Sequence, residues 1–217
     1  RTELLVRREI PLNEKASTVT LDYLTTVVDS GPRFHTVARN DEQDQPLDEA
    51  ILHDAASALN GKGKAKLSYP IRNIHRAVGA RVSGEIAKRY GDKGLPLGSV
   101  NVTFRGVAGQ SFGAFAINGL RLTLIGEAND YVGKGMAGGE LIIRPSDESP
   151  FAWHRNVILG NTCLYGATGG VLYAGGRVGE RFGVRNSGAI AVVEGLGDHG
   201  CEYMTGGIVL ILGETGR

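Results

Sequence analysis

Two cysteines, two methionines and one tryptophan in 217 residues leave little redox chemistry to build with. Cys163 and Cys201 are too few for a disulfide scaffold and suit a reducing compartment. Charge of one sign is also missing: 24 Lys+Arg stand against 23 Asp+Glu, a net charge of +1. That balance removes the electrostatic case for nucleic acid or an anionic membrane as partner. No apolar run approaches the ~20 residues that a membrane helix needs. Residues 1–20 mix Arg, Glu and Lys with Leu and Val, unlike a signal peptide. An initiator Met is absent as well, so the natural start is expected upstream.

Glycine is in excess, with 33 residues, roughly double the usual ~7% share. Only Gly31, Gly61, Gly63, Gly79 and Gly84 fall in residues 1–90. The composition shift predicts a change of architecture near residues 91–98. Beyond it, short apolar segments recur at 100–104, 120–124, 140–144, 157–159, 171–173, 189–193 and 208–212. Their starts advance by 20, 20, 17, 14, 18 and 19 residues. Several alternate, as in Leu120, Leu122 and Leu124 around Arg121 and Thr123, which is the period of a strand. No helical stripe separates them, which argues against crossover helices in this region.

Double glycines return at fixed places. Gly138-Gly139, Gly169-Gly170 and Gly206-Gly207 stand before segments, and Gly175-Gly176 follows one. Gly166, Gly179 and Gly183 sit at bend-like spacings. One strand per ~18-residue period with glycine corners predicts a solenoid, a right-handed single-stranded parallel β-helix whose inward Leu, Ile and Val rows form one core. Each buried aliphatic side chain supplies about 1.5–3 kcal/mol, so about fifteen of them in a cooperative stack offset the ordering entropy where one turn alone does not. The rival architecture is an antiparallel sandwich, which does not predict glycine pairs at one place in a repeat.

The first ninety residues read differently. Leu47, Ile51, Leu52, Ala55 and Leu59 follow helical spacing, with Asp48 and Glu49 in the first turn and Gly61 past the end. Residues 67–71 make a short extended piece containing Pro70. Val78, Val82, Ile86 and Tyr90 form a stripe for a second helix, with Asn73 as candidate N-cap, Lys88 and Arg89 in the last turn and Gly91 at the stop. The predicted organisation is a linker or arm over 1–45, an α/β lead-in over 46–98 that covers the open end of the stack, and the glycine-rich β-helix over 99–217.

The motifs that carry chemistry elsewhere have plainer readings here. Residues 133–138 and 195–200 are both literal G-x-G-x-x-G strings, but each leads toward a strand rather than a helix, so repeated corners explain them better than dinucleotide binding. Asp198, His199 and Cys201 suggest a Cys–His pair or a metal site, yet no second pair stands at ligand spacing. Cys163 and Cys201 lie 38 residues apart, about two periods, and are expected to stack as small inward residues. Glu127, Asp130, Asp147 and Glu148 offer carboxylates for acid–base work, but Asp and Asn also favour turns. Arg72, His75 and Arg76 are a small basic cluster that fits a loop leading into a helix. His35, His53 and His154 form no constellation, and no hexapeptide period suggests a left-handed acyltransferase helix. No catalytic, cofactor-binding or metal residue is assigned.

Several long strings nonetheless form a recognisable set. Residues 106–115 (GVAGQSFGAF), 128–139 (ANDYVGKGMAGG), 160–170 (GNTCLYGATGG), 184–188 (VRNSG) and 195–207 (GLGDHGCEYMTGG) resemble the C-terminal GXGXG domain of the glutamate synthase large (alpha) subunit. The resemblance covers about residues 45–217. Residues 70–79 resemble the family's lead-in, except that Ile74-His75 stands where the family usually has Thr-Asp. The family continues with further glycine-rich coils beyond Gly216-Arg217, so a longer natural protein is expected. The resemblance implies a right-handed β-helix without catalytic residues. By the same resemblance the domain is expected to pack the amidotransferase and FMN-binding synthase domains together, around a route for ammonia. FMN, the iron–sulfur cluster and the catalytic N-terminal Cys are then expected on other domains. The resemblance implies a whole enzyme that is a cytoplasmic oxidoreductase making glutamate from glutamine and 2-oxoglutarate using ferredoxin or NAD(P)H, in some members with a small NAD(P)H-oxidising subunit. The alternative is a separate β-helix subunit in a methylglutamate synthase-like or formylmethanofuran dehydrogenase-like complex.

Overall fold

The computed structural model describes residues 45–217 and, before them, residues 4–5, 18, 20–26, 31–32, 34 and 36. Two compact units divide the chain, 1–43 and 44–217. In the first, Asp22–Thr25 make one helical turn, α1. Most of the expected linker or arm over 1–45 lies outside the described residues.

The second unit is mainly β. Its strands are β1 Ala65–Ile71, β2 Val100–Ala108, β3 Leu120–Ala128, β4 Ala137–Arg144, β5 Val157–Leu159, β6 Gly169–Val178, β7 Ser187–Leu196 and β8 Gly206–Ile211. All eight lie in one sheet in the order β1-β2-β3-β4-β6-β7-β8, with β5 pairing β3 and β6. Every pairing is parallel, which excludes the antiparallel sandwich. Only the β1–β2 crossover carries an α-helix; the others are corners and loops.

The pairing stacks like residues on like. One inward row runs Leu67, Val102, Leu122, Leu141, Leu172, Ala191, Val209. The next runs Tyr69, Phe104, Leu124, Ile143, Ala174, Val193, Ile211. From β2 to β7 both rows are buried and belong to one continuous core. The alternation of Leu120, Leu122 and Leu124 therefore marked the correct face, and a single-residue slip would turn each row to solvent.

Between strands the backbone turns in a repeated corner, at 110–116, 130–136, 161–167, 180–186 and 198–204. In each corner, alternate residues have positive φ: Ser111, Gly113 and Phe115; Tyr131, Gly133 and Gly135; Thr162, Leu164 and Gly166; Arg181, Gly183 and Arg185; His199, Cys201 and Tyr203. The corners also bond to one another. The amides of Ser111, Tyr131, Thr162, Arg181 and His199 donate to the carbonyls of Asp130, Asn161, Glu180, Asp198 and Arg217, at 2.8–3.0 Å. Amides two residues on reach back to the preceding corner, as Gly133 N–H does to the Phe112 carbonyl (2.9 Å). Thus the polar backbone of the corners is satisfied between tiers, as in a strand ladder. The central position excludes a side chain where space is short: a Cβ at Gly133 would lie 2.8 Å from Leu164 Cδ2.

Four local expectations change. The double glycines do not precede strands; they form the second and third residues of β4 and the first two of β6 and β8. Gly175 and Gly176 lie inside β6, at a register irregularity between Ala174 and Arg177. The helix over 47–59 breaks at Ala55 into α2 (Leu47–Asp54) and α3 (Ala56–Leu59). Asn73 does not cap the next helix. That helix, α4 (Ala80–Tyr90), begins after Gly79 at φ 95°, and its cap comes from α2. The buried Asp48 carboxylate accepts the amides of Gly79 (2.8 Å), Arg81 (2.8 Å) and Val82 (3.4 Å). Burial pushes the Asp48 carboxyl above its usual range, and the three amide donors pull it back. Val78, Val82 and Ile86 turn inward as the stripe required, and the Tyr90 hydroxyl donates to the Leu59 carbonyl (2.9 Å).

Two stability effects are expected. At Gly139 (φ 76°) a Cβ would stand 2.6 Å from the Leu120 carbonyl oxygen, and at Gly170 (φ 90°) 2.7 Å from that of Gly138. Valine at either position should cost about 2–6 kcal/mol, combining a strained φ with overpacking. Gly166→Ala, at φ 61° with nothing within 4 Å, should cost only about 1–2 kcal/mol. Equal melting temperatures for all three variants would refute the close backbone approach at Gly139 and Gly170. Asp48→Ala leaves three amides without their acceptor and should cost about 2–3 kcal/mol in urea unfolding.

Candidate functional site

Several of the candidate residues are bonded within the fold. Asp130 Oδ1 accepts the Asn161 amide (2.8 Å), Asn161 Oδ1 accepts the Glu180 amide (2.9 Å), and Asp198 Oδ1 accepts the Arg217 amide (2.8 Å). These side chains repeat one task, clasping the backbone of the next tier at the start of each corner. Asp147 pairs with Arg144 at 2.9 Å. The Glu148 amide donates to Ser146 Oγ (3.3 Å). Glu127 lines an open concavity of about 390 Å³ with Arg105, Ile125 and Ser149. None of these carboxylates faces a nucleophile across hydrogen-bond distance.

The Asp198, His199, Cys201 group divides in the same way. His199 Nδ1 faces Glu202 Oε1 at 3.7 Å, while Asp198 holds Arg217. Cys163 and Cys201 do not share a row. The inter-tier bonds align Thr162 with Arg181 and His199, so Cys163 matches Phe182 and Gly200, and Cys201 falls one position later with Leu164 and Gly183. The period count put them two repeats apart but missed this offset of one residue. Burial pushes the Cys163 thiol up to about 12 and raises that of Cys201. Burial thus disfavours the thiolate at both positions. Among the described residues no group of three His, Cys, Asp or Glu is placed to hold a metal ion.

The two G-x-G-x-x-G strings open no helix. Gly133 and Gly135 are corner residues leading into β4; Gly195 ends in β7 and the string runs through the last corner toward β8. The basic cluster 72–76 forms the approach to α4. Arg72 N–H donates to His75 Nδ1 (3.1 Å), and Arg76 Nη2 donates to Gln110 Oε1 (3.1 Å).

A larger concavity, about 680 Å³, lies beside the loop that joins β4 to β5. His154, Arg155, Arg177, Glu194 and Glu214 line it. No motif marks it, because its residues come from four separated segments. Arg177 pairs with Glu214 at 2.8 Å. Among the described residues one Glu194 carboxylate oxygen is buried without a hydrogen-bond partner. The lining has both charges but no hydroxyl or thiol nucleophile.

An all-parallel sheet joined by glycine-rich corners, with polar side chains bonding one tier to the next, places the chain in a class of stacked, glycine-cornered β-domains. The chain belongs to the GXGXG motif family, whose model matches residues 48–217. It is 50% identical over its whole length to ferredoxin-dependent glutamate synthase 2 of Synechocystis, of which it spans 14%. Over 83% of its length it is 49% identical to the glutamate synthase [NADPH] large chain of Azospirillum brasilense, spanning 12% of that protein. Over 95% it is 49% identical to glutamate synthase [NADH] of Schizosaccharomyces pombe, spanning 10%. The chain thus covers about a seventh or less of the curated relatives it matches.

The thiols supply a check. At neutral pH iodoacetamide should leave Cys163 unmodified in the folded chain and alkylate Cys201 slowly; in urea both should react freely. Because a raised thiol pKa means less thiolate at any given pH, labelling of Cys201 should rise with pH. Fast labelling of Cys163 in the native chain would contradict its place in the core.

Proposed function

We propose that this chain is the non-catalytic structural segment of a glutamate synthase, the oxidoreductase that converts glutamine and 2-oxoglutarate to two glutamates in nitrogen assimilation. In this reading residues 99–217 wind as a right-handed single-stranded β-helix, with one strand and one corner per coil. Right-handed crossovers between parallel strands are favoured in about 98% of cases. Residues 46–98 cap one end of it, and 1–45 join it to the preceding domain. The observation that carries the reading is the use of Asp130, Asn161 and Asp198 as inter-tier clasps. The residues best suited to chemistry are spent on holding the stack.

The catalytic work then lies on other domains of a cytoplasmic enzyme. An amidotransferase domain releases ammonia from glutamine, and a synthase domain carries FMN and an iron–sulfur cluster. The segment holds those domains in fixed relation, and in NAD(P)H-dependent members a small subunit delivers the electrons. Of the two cysteines here, Cys163 is packed in the core and Cys201 is half-buried one tier position away.

The test has two arms. The full polypeptide that contains this segment should form glutamate from glutamine and 2-oxoglutarate with reduced ferredoxin or NAD(P)H. The 217-residue chain by itself should purify colourless and form none. A full polypeptide inert with every donor, or a flavin spectrum from the 217-residue chain, would overturn the proposal.

A further inference from the structure

The concavity of about 680 Å³ beside the β4–β5 loop holds charges that do not all find partners. One wall is the helical turn Trp153–Arg155. Its Trp153 ring lies against β6, where a Cβ added at Gly175 would meet ring atom Cε3 at 3.8 Å. The Arg144 guanidinium sits over the same ring, 6.0 Å from its centroid. With Trp153 held on both sides, the exposed His154 and Arg155 are presented to the concavity. Arg177 crosses from β6 over Gly195 of β7, where a Cβ would stand 2.8 Å from its Cγ, and ends on Glu214 at 2.8 Å.

That path leaves Glu194 without a cation. Arg177 pairs in register with Gly195, the next residue, yet its guanidinium is spent on Glu214. One Glu194 carboxylate oxygen is thus buried with no donor among the described residues. A buried polar atom left unpaired is costly and calls for a partner. Arg155 is the converse: among the described residues no carboxylate pairs with it. Once Arg177 and Glu214 cancel, the concavity keeps one unmatched anion and one unmatched cation.

We propose that this concavity binds a free α-amino acid as its zwitterion. The ammonium donates to Glu194, the carboxylate accepts from Arg155 and His154, and the side chain lies along the exposed Leu212. The volume falls within the range of small-ligand sites, about 300–1,000 Å³. The charges select the class. A phosphate ester, with several negative charges, meets Glu194 and Glu214. A simple amine leaves Arg155 unmatched. A metal ion finds no three ligands placed for it among the described residues. A zwitterion brings one charge of each sign, and a guanidinium fork donates two parallel bonds to a carboxylate. The site stands whether or not the chain serves a glutamate synthase.

Nuclear magnetic resonance titration of the isotope-labelled 217-residue chain with each common L-amino acid tests this. At least one should shift the amide signals of Arg155, Arg177 and Gly195 together and saturably. Glu194→Gln and Arg155→Gln should each weaken that amino acid at least about tenfold, the loss of one charge-assisted bond, with the remaining signals unmoved. The same compound without its ammonium, or without its carboxylate, should bind the unaltered chain as poorly, and this arm holds even where a variant fails to fold. No saturable shift at these amides with any amino acid would overturn the proposal. Undiminished binding by the folded variants or by the singly charged analogues would do the same. So would a carbodiimide cross-link in the full polypeptide between Glu194 and a lysine outside these 217 residues, since a basic side chain would then be the missing donor.

Discussion

In-register parallel pairing governs this molecule. Once β2 lies on β3 with Val102 against Leu122 and Phe104 against Leu124, each later strand inherits the same two inward positions. A residue is thus chosen for a row as much as for a strand. Apolar burial is additive along a row, whereas the register is fixed once for all of it. That is how short segments, with three residues in β5 and six in β8, hold their places in a sheet that none of them would form alone.

The corners must keep pace with that register, and glycine follows from this. Successive corners hydrogen-bond amide to carbonyl like strands, so they stack at strand spacing and leave little room between backbones. The strands beside them are as close: a Cβ at Gly126 in β3 would collide with the Gly106 carbonyl oxygen, and one at Gly188 in β7 with that of Thr168. The alternating left-handed residues are a separate demand. They cost a side-chain-bearing residue about 1–2 kcal/mol each, and the stack overrides that at Phe115, Tyr131, Arg181 and Tyr203. Glycine is therefore obligatory where space is absent and optional where only φ is unusual.

That distinction decides what could be read from the sequence. The strands were legible because alternation at Leu120, Leu122 and Leu124 records burial directly. The corners were legible only where glycine fills them. Tyr131, Thr162 and His199 share one backbone state, yet nothing in their identities announces it. The offset between Cys163 and Cys201 was hidden for the same reason, because tiers differ in length and only hydrogen bonding reveals the alignment. The cap of α4 was out of reach too. Asp48 lies 31 residues before Gly79, and local rules favoured the nearby Asn73. The concavity around Glu194 joins residues from four segments and had no motif to mark it.

The carboxylates show why motif reasoning pointed in two directions at once. Asp130 and Asp198 stand in Gly-rich turns, which suggests either an active-site loop or an Asx turn. The geometry adds a third role, since each oxygen reaches the amide one tier on rather than its own turn. A carboxylate so engaged has one oxygen committed to a backbone donor, and moving it to abstract a proton would release that donor. Removing the clasp loosens two corners, not one, because the amide it holds begins the next corner. Chemistry at these positions would compete with the register on which every inward row relies.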